Sequence, residues 1–254
     1  MSKGRLSVVG FGPGGLEHMT IKAEKTIRES DIVTGYTTYI DMIRGYFPED
    51  MKYTSTGMMK EVERCKMAVE EAMKGQKVSM VSSGDSGIYG MAGIVYEVAA
   101  EMKADIDIDV VPGITAASTA ASVLGAPLMH DMTIISLSDL MTPIDLIMKR
   151  VDCAGQGDFV VALYNPKSKK RTDYLNQAAD ILMKYRSPDT PVGIVRNAGR
   201  DGEEKNITTL GELGSADVDM FCVVIIGNSN TYLFDGRMIT PRGYREKGRI
   251  EKVL

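Results

Sequence analysis

The chain has 254 residues, 44% hydrophobic and 25% charged, with a formal net charge of −4. That is the composition of a folded globular protein with one large or two small domains, and it excludes a disordered chain. The mild negative charge argues against a general nucleic-acid or anionic-membrane binder, and no stretch approaches the roughly 20 apolar residues of a membrane span.

Charge is uneven along the chain. Residues 1–115 carry 13 Lys and Arg against 17 Asp and Glu, and residues 116–254 carry 17 against 17, so the second half is relatively basic. Cys65, Cys153 and Cys222 are far apart and form no CxxC pair, and the leading Met1-Ser2-Lys3-Gly4-Arg5 has no secretory character, so a reducing cytoplasm is expected. The 18 methionines read as adaptable core packing.

In chain order, Leu6–Val9 reads as a strand that ends in the glycine-rich run Gly10-Phe11-Gly12-Pro13-Gly14-Gly15. A helix follows over about Thr20–Glu29, then a short strand at Ile32-Val33. Met58, Val62, Cys65, Val69 and Met73 recur at three- and four-residue spacing and predict an amphipathic helix. Val78–Val81 reads as a strand, 82–87 as a loop, about 88–102 as a helix, and Ile106–Val111 as a strand closed by Pro112-Gly113. Further strands are expected at Thr133–Ser136, Phe159–Tyr164, Val192–Arg196 and Phe221–Ile226, with helices near 144–150 and 171–185. This alternation predicts α/β layering around mainly parallel sheets. Pro112, Gly113, Gly125 and Pro127 punctuate a boundary region at 112–131, which gives an N-terminal domain of residues 1–115 and a C-terminal domain of 116–254.

Gly10, Gly12 and Gly15 satisfy the G-x-G-x-x-G spacing of dinucleotide-binding loops. That motif also needs an acid at the end of the second strand. Here Asp31 precedes Ile32-Val33, and Pro13 removes a backbone donor from the loop, so nicotinamide binding is not expected. A turn that brings a ligand close to backbone is the better reading. Gly84-Asp85-Ser86-Gly87 matches the sequence around a trypsin-like nucleophile, but the only histidines are His18 and His130 and the strand–helix pattern is not all-β. It reads instead as a strand-to-helix loop able to receive a polar ligand. Neither histidine has partners at metal-ligand spacing, so no metal site is expected. Lys167, Lys169, Lys170 and Arg171, with Arg196, Arg200, Arg242 and Arg245, cluster near strand ends and loops and point to a substrate bearing carboxylates or phosphates.

Taken in order, these segments resemble the tetrapyrrole methylases over about residues 5–245, and within them the enzymes that methylate carbon 17 of precorrin-3B or cobalt-factor III in cobalamin biosynthesis. The resemblance rests on the Gly10–Gly14 run, Gly35-Tyr36-Thr37-Thr38-Tyr39, the Ser82–Gly90 segment and Val111-Pro112-Gly113-Ile114-Thr115-Ala116-Ala117. It continues through Ile135-Ser136-Leu137-Ser138-Asp139, Leu163-Tyr164-Asn165-Pro166, Ala198-Gly199-Arg200 and Ile226-Gly227-Asn228-Ser229. Ile144, after Thr142-Pro143, departs from the tryptophan expected in many relatives.

The resemblance implies two α/β domains with a cleft between them, the class III methyltransferase arrangement rather than a Rossmann fold, and a homodimer. It implies S-adenosylmethionine held by Gly84, Asp85, Ser86, Ile88, Tyr89, Thr115 and Ala116, with Tyr164, Asn165, Asn197 and Ala198 from the second domain. Gly12, Pro13 and Gly14 would face an anionic tetrapyrrole, and Arg196 and Arg200 would hold its carboxylates. His130, Asp131, Ser138 and Asp139 are the candidates for acid–base help during ring contraction. The methyl group of a sulfonium is already activated, so transfer needs alignment more than a protein nucleophile. The competing readings are a methylase acting at another macrocycle carbon and a non-catalytic nucleotide-binding module built on Gly10–Gly15.

Overall fold

In the computed structural model, which describes residues 3–168 and 172–244, the apolar run after Gly4 is a strand with neighbours on both sides. The elements of the first unit are β1 (Arg5–Gly10), α1 (Ile21–Arg28), β2 (Ile32–Tyr36), α2 (Thr37–Ile43), β3 (Lys52–Thr56), α3 (Glu61–Met73), β4 (Lys77–Ser82), α4 (Ala92–Glu101) and β5 (Asp107–Val111). The strands form one sheet in the order β3-β2-β4-β1-β5, parallel throughout. Leu6 and Val8 point to one face, packed with Cys65, Val69, Val95 and Val98 of α3 and α4. Val9 and Val33 are packed on the other with Ala23, Ile27, Ile40 and Ile43 of α1 and α2. Helices on both faces explain why the central strands β1 and β4 are buried continuously rather than at alternate residues.

The helix predicted from Met58 to Met73 forms over Glu61–Met73, but its buried stripe is shifted. Arg64, Cys65, Ala68, Val69 and Ala72 face inward, while Met58, Val62 and Met73 are exposed. Arg64 takes its buried place because Nη1 donates to Thr56 Oγ1 at 2.6 Å, closing the end of β3. The helix expected from 88 starts only at Ala92, and Gly87–Gly90 form a loop in front of it. β3 and α2 are additions to the predicted pattern.

The chain divides into its two compact units between Ala116 and Ala117. α5 (Ala116–Leu124) starts at that point, and after it come β6 (Gly125–Ala126), β7 (Met132–Ser136), α6 (Ile144–Gln156), β8 (Val160–Tyr164), α7 (Tyr174–Leu182), β9 (Pro191–Arg196), β10 (Glu204–Thr209), β11 (Cys222–Ile226), β12 (Tyr232–Phe234) and β13 (Arg237–Ile239). The larger sheet has the order β10-β9-β11-β8-β7. Only β7 and β8 pair in parallel; β11 runs antiparallel to β8 and β9, and β10 antiparallel to β9. The expectation of a mainly parallel sheet fails here because β9 and β10 are joined by the short turn 197–203, which makes a hairpin rather than a crossover. A small second sheet, β12-β13-β6, closes on the left-handed turn Asp235-Gly236.

One face of the larger sheet carries the main core of this unit, with Ile147, Val151, Leu175 and Leu182 of α6 and α7 against Leu163, Ile194 and Val224. Ile144 packs at the margin of that core, so the residue that departs from the family pattern serves packing. Toward the other face, a Cβ on Gly193 would lie 2.3 Å from Leu124 Cδ1 and 2.8 Å from Met238 Sδ, so α5 and β13 sit directly on β9.

Cys65 and Cys222 are buried and Cys153 is exposed. Burial pushes the Cys65 thiol from 9.0 up to about 11. Because the folded value lies above the unfolded one, the contribution of Cys65 to stability is complete below pH 9 and is lost as pH rises toward 11. Iodoacetamide at pH 8 should therefore alkylate Cys153 and spare Cys65 until denaturant is added; mass mapping of the labelled peptides checks this.

Candidate functional site

The register of the first sheet brings the ends of β1, β4 and β5 level, with Gly10 beside Ser82 and Val9 beside Val111. Three loops leave from this edge. A Cβ on Gly10 would lie 2.7 Å from Gly84 O and 2.8 Å from Gly113 N, and one on Gly113 would lie 2.1 Å from Gly84 O. The backbones at Gly10, Gly84 and Gly113 therefore touch, at the carboxyl ends of parallel strands where ligands bind in open α/β sheets.

Two sets of bonds lock the loops together. Gly12 and Gly84 form an isolated antiparallel bridge, with N···O distances of 3.0 and 2.7 Å. Asp85 accepts from the N–H groups of Gly87 (2.8 Å) and Ile88 (3.1 Å) through Oδ1, and from Gly113 N–H (3.0 Å) through Oδ2. Ser86 is fully buried and its Oγ donates to Val111 O at 3.1 Å. Asp85 and Ser86 thus spend their side chains on the loops themselves. Ile88 and Tyr89 are exposed, and Tyr89 holds φ 53°, a left-handed conformation that is strained for an aromatic residue.

Gly84 itself has φ +70°, and a Cβ there would meet only Ala116 N at 3.9 Å and Ile114 O at 4.0 Å. Gly84 is buried, and an added carbon there would be in ordinary contact with the backbone that runs through Thr115 and Ala116. Pro13 and Gly14 lie on the same edge, where His18 Nδ1 is 3.2 Å from Gly14 O. The sequence offers His18 no metal-ligand partner, and the structure places it in a local hydrogen-bond contact four residues after Gly14. Gly35–Tyr39 supports this edge from behind, with Tyr39 stacked edge-on against Phe11 and Tyr36.

In the second unit, the antiparallel order places the ends of β7, β8 and β9 together with the start of β11. Tyr164, Asn165, Ser138, Asp139, Asn197 and Ala198 all lie at this end. Asn165 Nδ2 donates to Ser136 Oγ at 3.0 Å, and Ser136 Oγ also accepts from Ser138 N–H at 3.2 Å. Tyr164 OH accepts from Ala117 N–H at 2.7 Å, and Tyr174 OH donates to Asp139 at 2.8 Å. Asn165 and Asn197 have φ 52° and 50°, as Asn tolerates at sharp turns.

His130 and Asp131 sit before β7, at the opposite end of this sheet, separated from Ser138 and Asp139 by a five-residue strand spanning roughly 16 Å. His130 Nδ1 accepts from Asp131 N–H at 2.9 Å. The four expected acid–base candidates therefore do not form one group, because a strand separates residues that are near in sequence. Gly227-Asn228-Ser229 lies at that far end too, where Ser229 donates to Asp158 and the buried Arg186 donates to the carbonyls of Gly227 and Phe159.

Arg196 is also corrected. Its guanidinium lies 3.0 Å from Asp217, 3.3 Å from Asp219 and 3.6 Å from Glu204; the Asp217 hydrogen bond, then one to Cys222 and the charge of Asp219, raise its pKa. Arg196 is thus already engaged by carboxylates of its own unit, Asp217 by a hydrogen bond. Arg200 is half-buried in the turn 197–203, Lys167 is half-buried and Arg242 exposed; Lys169, Lys170, Arg171 and Arg245 lie outside the described residues. Among the described residues, no group of three or more His, Cys, Asp or Glu could hold a metal, and no helix is long and apolar enough to cross a membrane.

Residues 5–214 match the pattern of the Tetrapyrrole (Corrin/Porphyrin) Methylases. The chain belongs to this family. Membership implies methyl transfer with S-adenosylmethionine as donor. The methylase is 50% identical over 255 residues to a cobalt-factor III methyltransferase of Priestia megaterium, covering 99% of this chain and 47% of that protein, so it spans about half of that relative. It is also 50% identical over 239 residues to a probable cobalt-factor III C(17)-methyltransferase of Salmonella typhimurium, covering 94% of this chain and 99% of the relative. The crystal structure of the methyltransferase CobJ superposes with a TM-score of 0.87 at 32% identity, over 94% of this chain and all of that one.

The contact of three glycine backbones generates a direct test. Gly113→Ala must push apart the loops of β1 and β4 and should cost at least about 1–3 kcal/mol of stability. Gly45→Ala, where nothing lies within 4 Å of the added carbon, should change stability by under about 0.5 kcal/mol. Urea unfolding of the two variants checks the difference.

Proposed function

We propose that this methylase transfers a methyl group from S-adenosylmethionine to carbon 17 of cobalt-factor III or precorrin-3B, with contraction of the macrocycle, in corrin biosynthesis. The observation that carries the reading is the end-to-end similarity to the Salmonella relative of that name. The loops at Gly84 and Thr115-Ala116, where main chain lies against a glycine, support this reading, because an adenosine or methionine moiety needs close approach to main chain. Bound there, S-adenosylmethionine supplies a methyl group already activated on sulfur.

In this reading Gly84, Ile88, Tyr89, Thr115 and Ala116 hold the donor from the first unit, with Asp85 and Ser86 contributing through the loop they brace. Tyr164, Asn165, Asn197 and Ala198 complete the set. Gly12, Pro13 and Gly14 meet the tetrapyrrole, and Arg200 takes one of its carboxylates. Ser138 and Asp139, which share the sheet end with Tyr164 and Asn165, are retained for acid–base help; His130 and Asp131 are not. The family resemblance also supports a homodimer acting in the cytoplasm.

Incubation of the purified protein with S-adenosylmethionine and either cobalt-factor III or precorrin-3B should give a product one methyl group heavier with the altered spectrum of a contracted ring. Methylation without contraction would point to another carbon, and no methyl transfer with either substrate would overturn the reading. In the same assay Arg200→Ala should weaken tetrapyrrole binding about 10- to 100-fold, more at low salt, with donor affinity unchanged. Equal loss for both ligands would assign Arg200 to the fold instead.

A further inference from the structure

The carboxylate of Asp85 joins two loops that the chain separates by 28 residues. Oδ1 accepts the Gly87 and Ile88 N–H groups and so shapes the turn in front of α4, while Oδ2 takes the Gly113 N–H at the end of β5. Both oxygens are thereby used, one by each loop. On either side of this link lie the features of the proposed donor site: Gly84, Ile88 and Tyr89 on one loop, Ile114, Thr115 and Ala116 on the other. A Cβ on Gly84 would lie 3.9 Å from Ala116 N and 4.0 Å from Ile114 O, so the spacing at Gly84 is the separation of these two loops. Ser86 Oγ adds a bond to Val111 O at 3.1 Å, deeper, within the strand.

We propose that Asp85 is a positioning residue that sets the width of the donor site by tying the Gly113 amide to the Gly84–Tyr89 loop, rather than a residue that contacts the donor. The proposal rests on the methyltransferase reading above and refines it. A carboxylate is needed because both oxygens must accept. An asparagine keeps the Oδ1 turn but presents an amide N–H2 to the Gly113 N–H, donor against donor. An alanine releases both loops. The same brace extends toward the tetrapyrrole side, since Gly84 is bridged to Gly12. Glutamate cannot replace aspartate, because one more methylene displaces both oxygens from three fixed amides.

The test compares Asp85→Asn and Asp85→Ala in the full chain. In the ligand-free proteins, hydrogen exchange of the Gly113 amide should speed up about tenfold or more in both variants, while Gly87 and Ile88 should speed up only in Asp85→Ala. Titration with S-adenosylhomocysteine should show about a tenfold loss of affinity in both, and turnover should show KM for the donor raised with kcat within about threefold. Unchanged exchange at Gly113 together with weakened ligand binding would overturn the proposal in favour of direct contact. Faster exchange with undiminished affinity would also overturn it, leaving Asp85 a purely structural cap. Should Asp85→Ala fail to fold, Asp85→Asn alone decides, because it breaks one bond of the three. Wild-type protein that binds no S-adenosylhomocysteine would overturn the methyltransferase reading, and the exchange arm would still report on the brace separately.

Discussion

Close contact of main chain with main chain at Gly10, Gly84 and Gly113 governs the first unit. Three parallel strands end level, and the loops that leave them can cross only where no side chain intervenes. Everything at that edge follows from this contact: the Gly12–Gly84 bridge, the reach of Asp85 to Gly113, and the exposed backbone around Thr115. A glycine-rich turn of this kind can be mistaken for a pyrophosphate cradle. Here Gly10–Gly14 are buried, Gly12 exchanges both backbone groups with Gly84, and Phe11 N–H donates to Ser82 O.

The second unit reaches a comparable edge by a different route. Its sheet is mixed, and the antiparallel strand β11 sits at its centre, between β8 and β9. The ends of β7, β8 and β9 still gather on one side, and there side-chain amides and hydroxyls make the local bonds. Asn165, Ser136 and Ser138 form a short polar chain, and left-handed Asn165 and Asn197 turn the backbone sharply at strand ends. Methyl transfer from a sulfonium asks for such a site, one that orients and excludes water, more than for a strong base. The scarcity of reactive dyads in the sequence agrees with that demand.

Charge is allotted more narrowly than the sequence suggests. The second half is relatively basic, yet Arg196 is bound by three acids and Arg186 is buried against two carbonyls. Both arginines serve the fold. Like-signed residues on neighbouring loops thus differ in surroundings according to which groups the tertiary structure brings beside them.

Sequence alone determined much of this protein. The strand–glycine–helix rhythm located β1, β4, β5, β8, β9 and β11, and the order of the glycine, GDSG-type and YNP segments identified the family. These features are legible because they are local: an apolar run, a turn that only glycine tolerates, a residue type fixed at each step. The Asp235-Gly236 hairpin carried a local signal too, and it passed unread. Tertiary structure alone decided the rest. Which face of α3 is buried depends on a bond from Arg64 to Thr56, and the sense of β11 depends on partners distant in the chain. The separation of His130 and Asp131 from Ser138 and Asp139 arises because a strand carries the chain across the whole sheet, so residues close in sequence end on opposite edges.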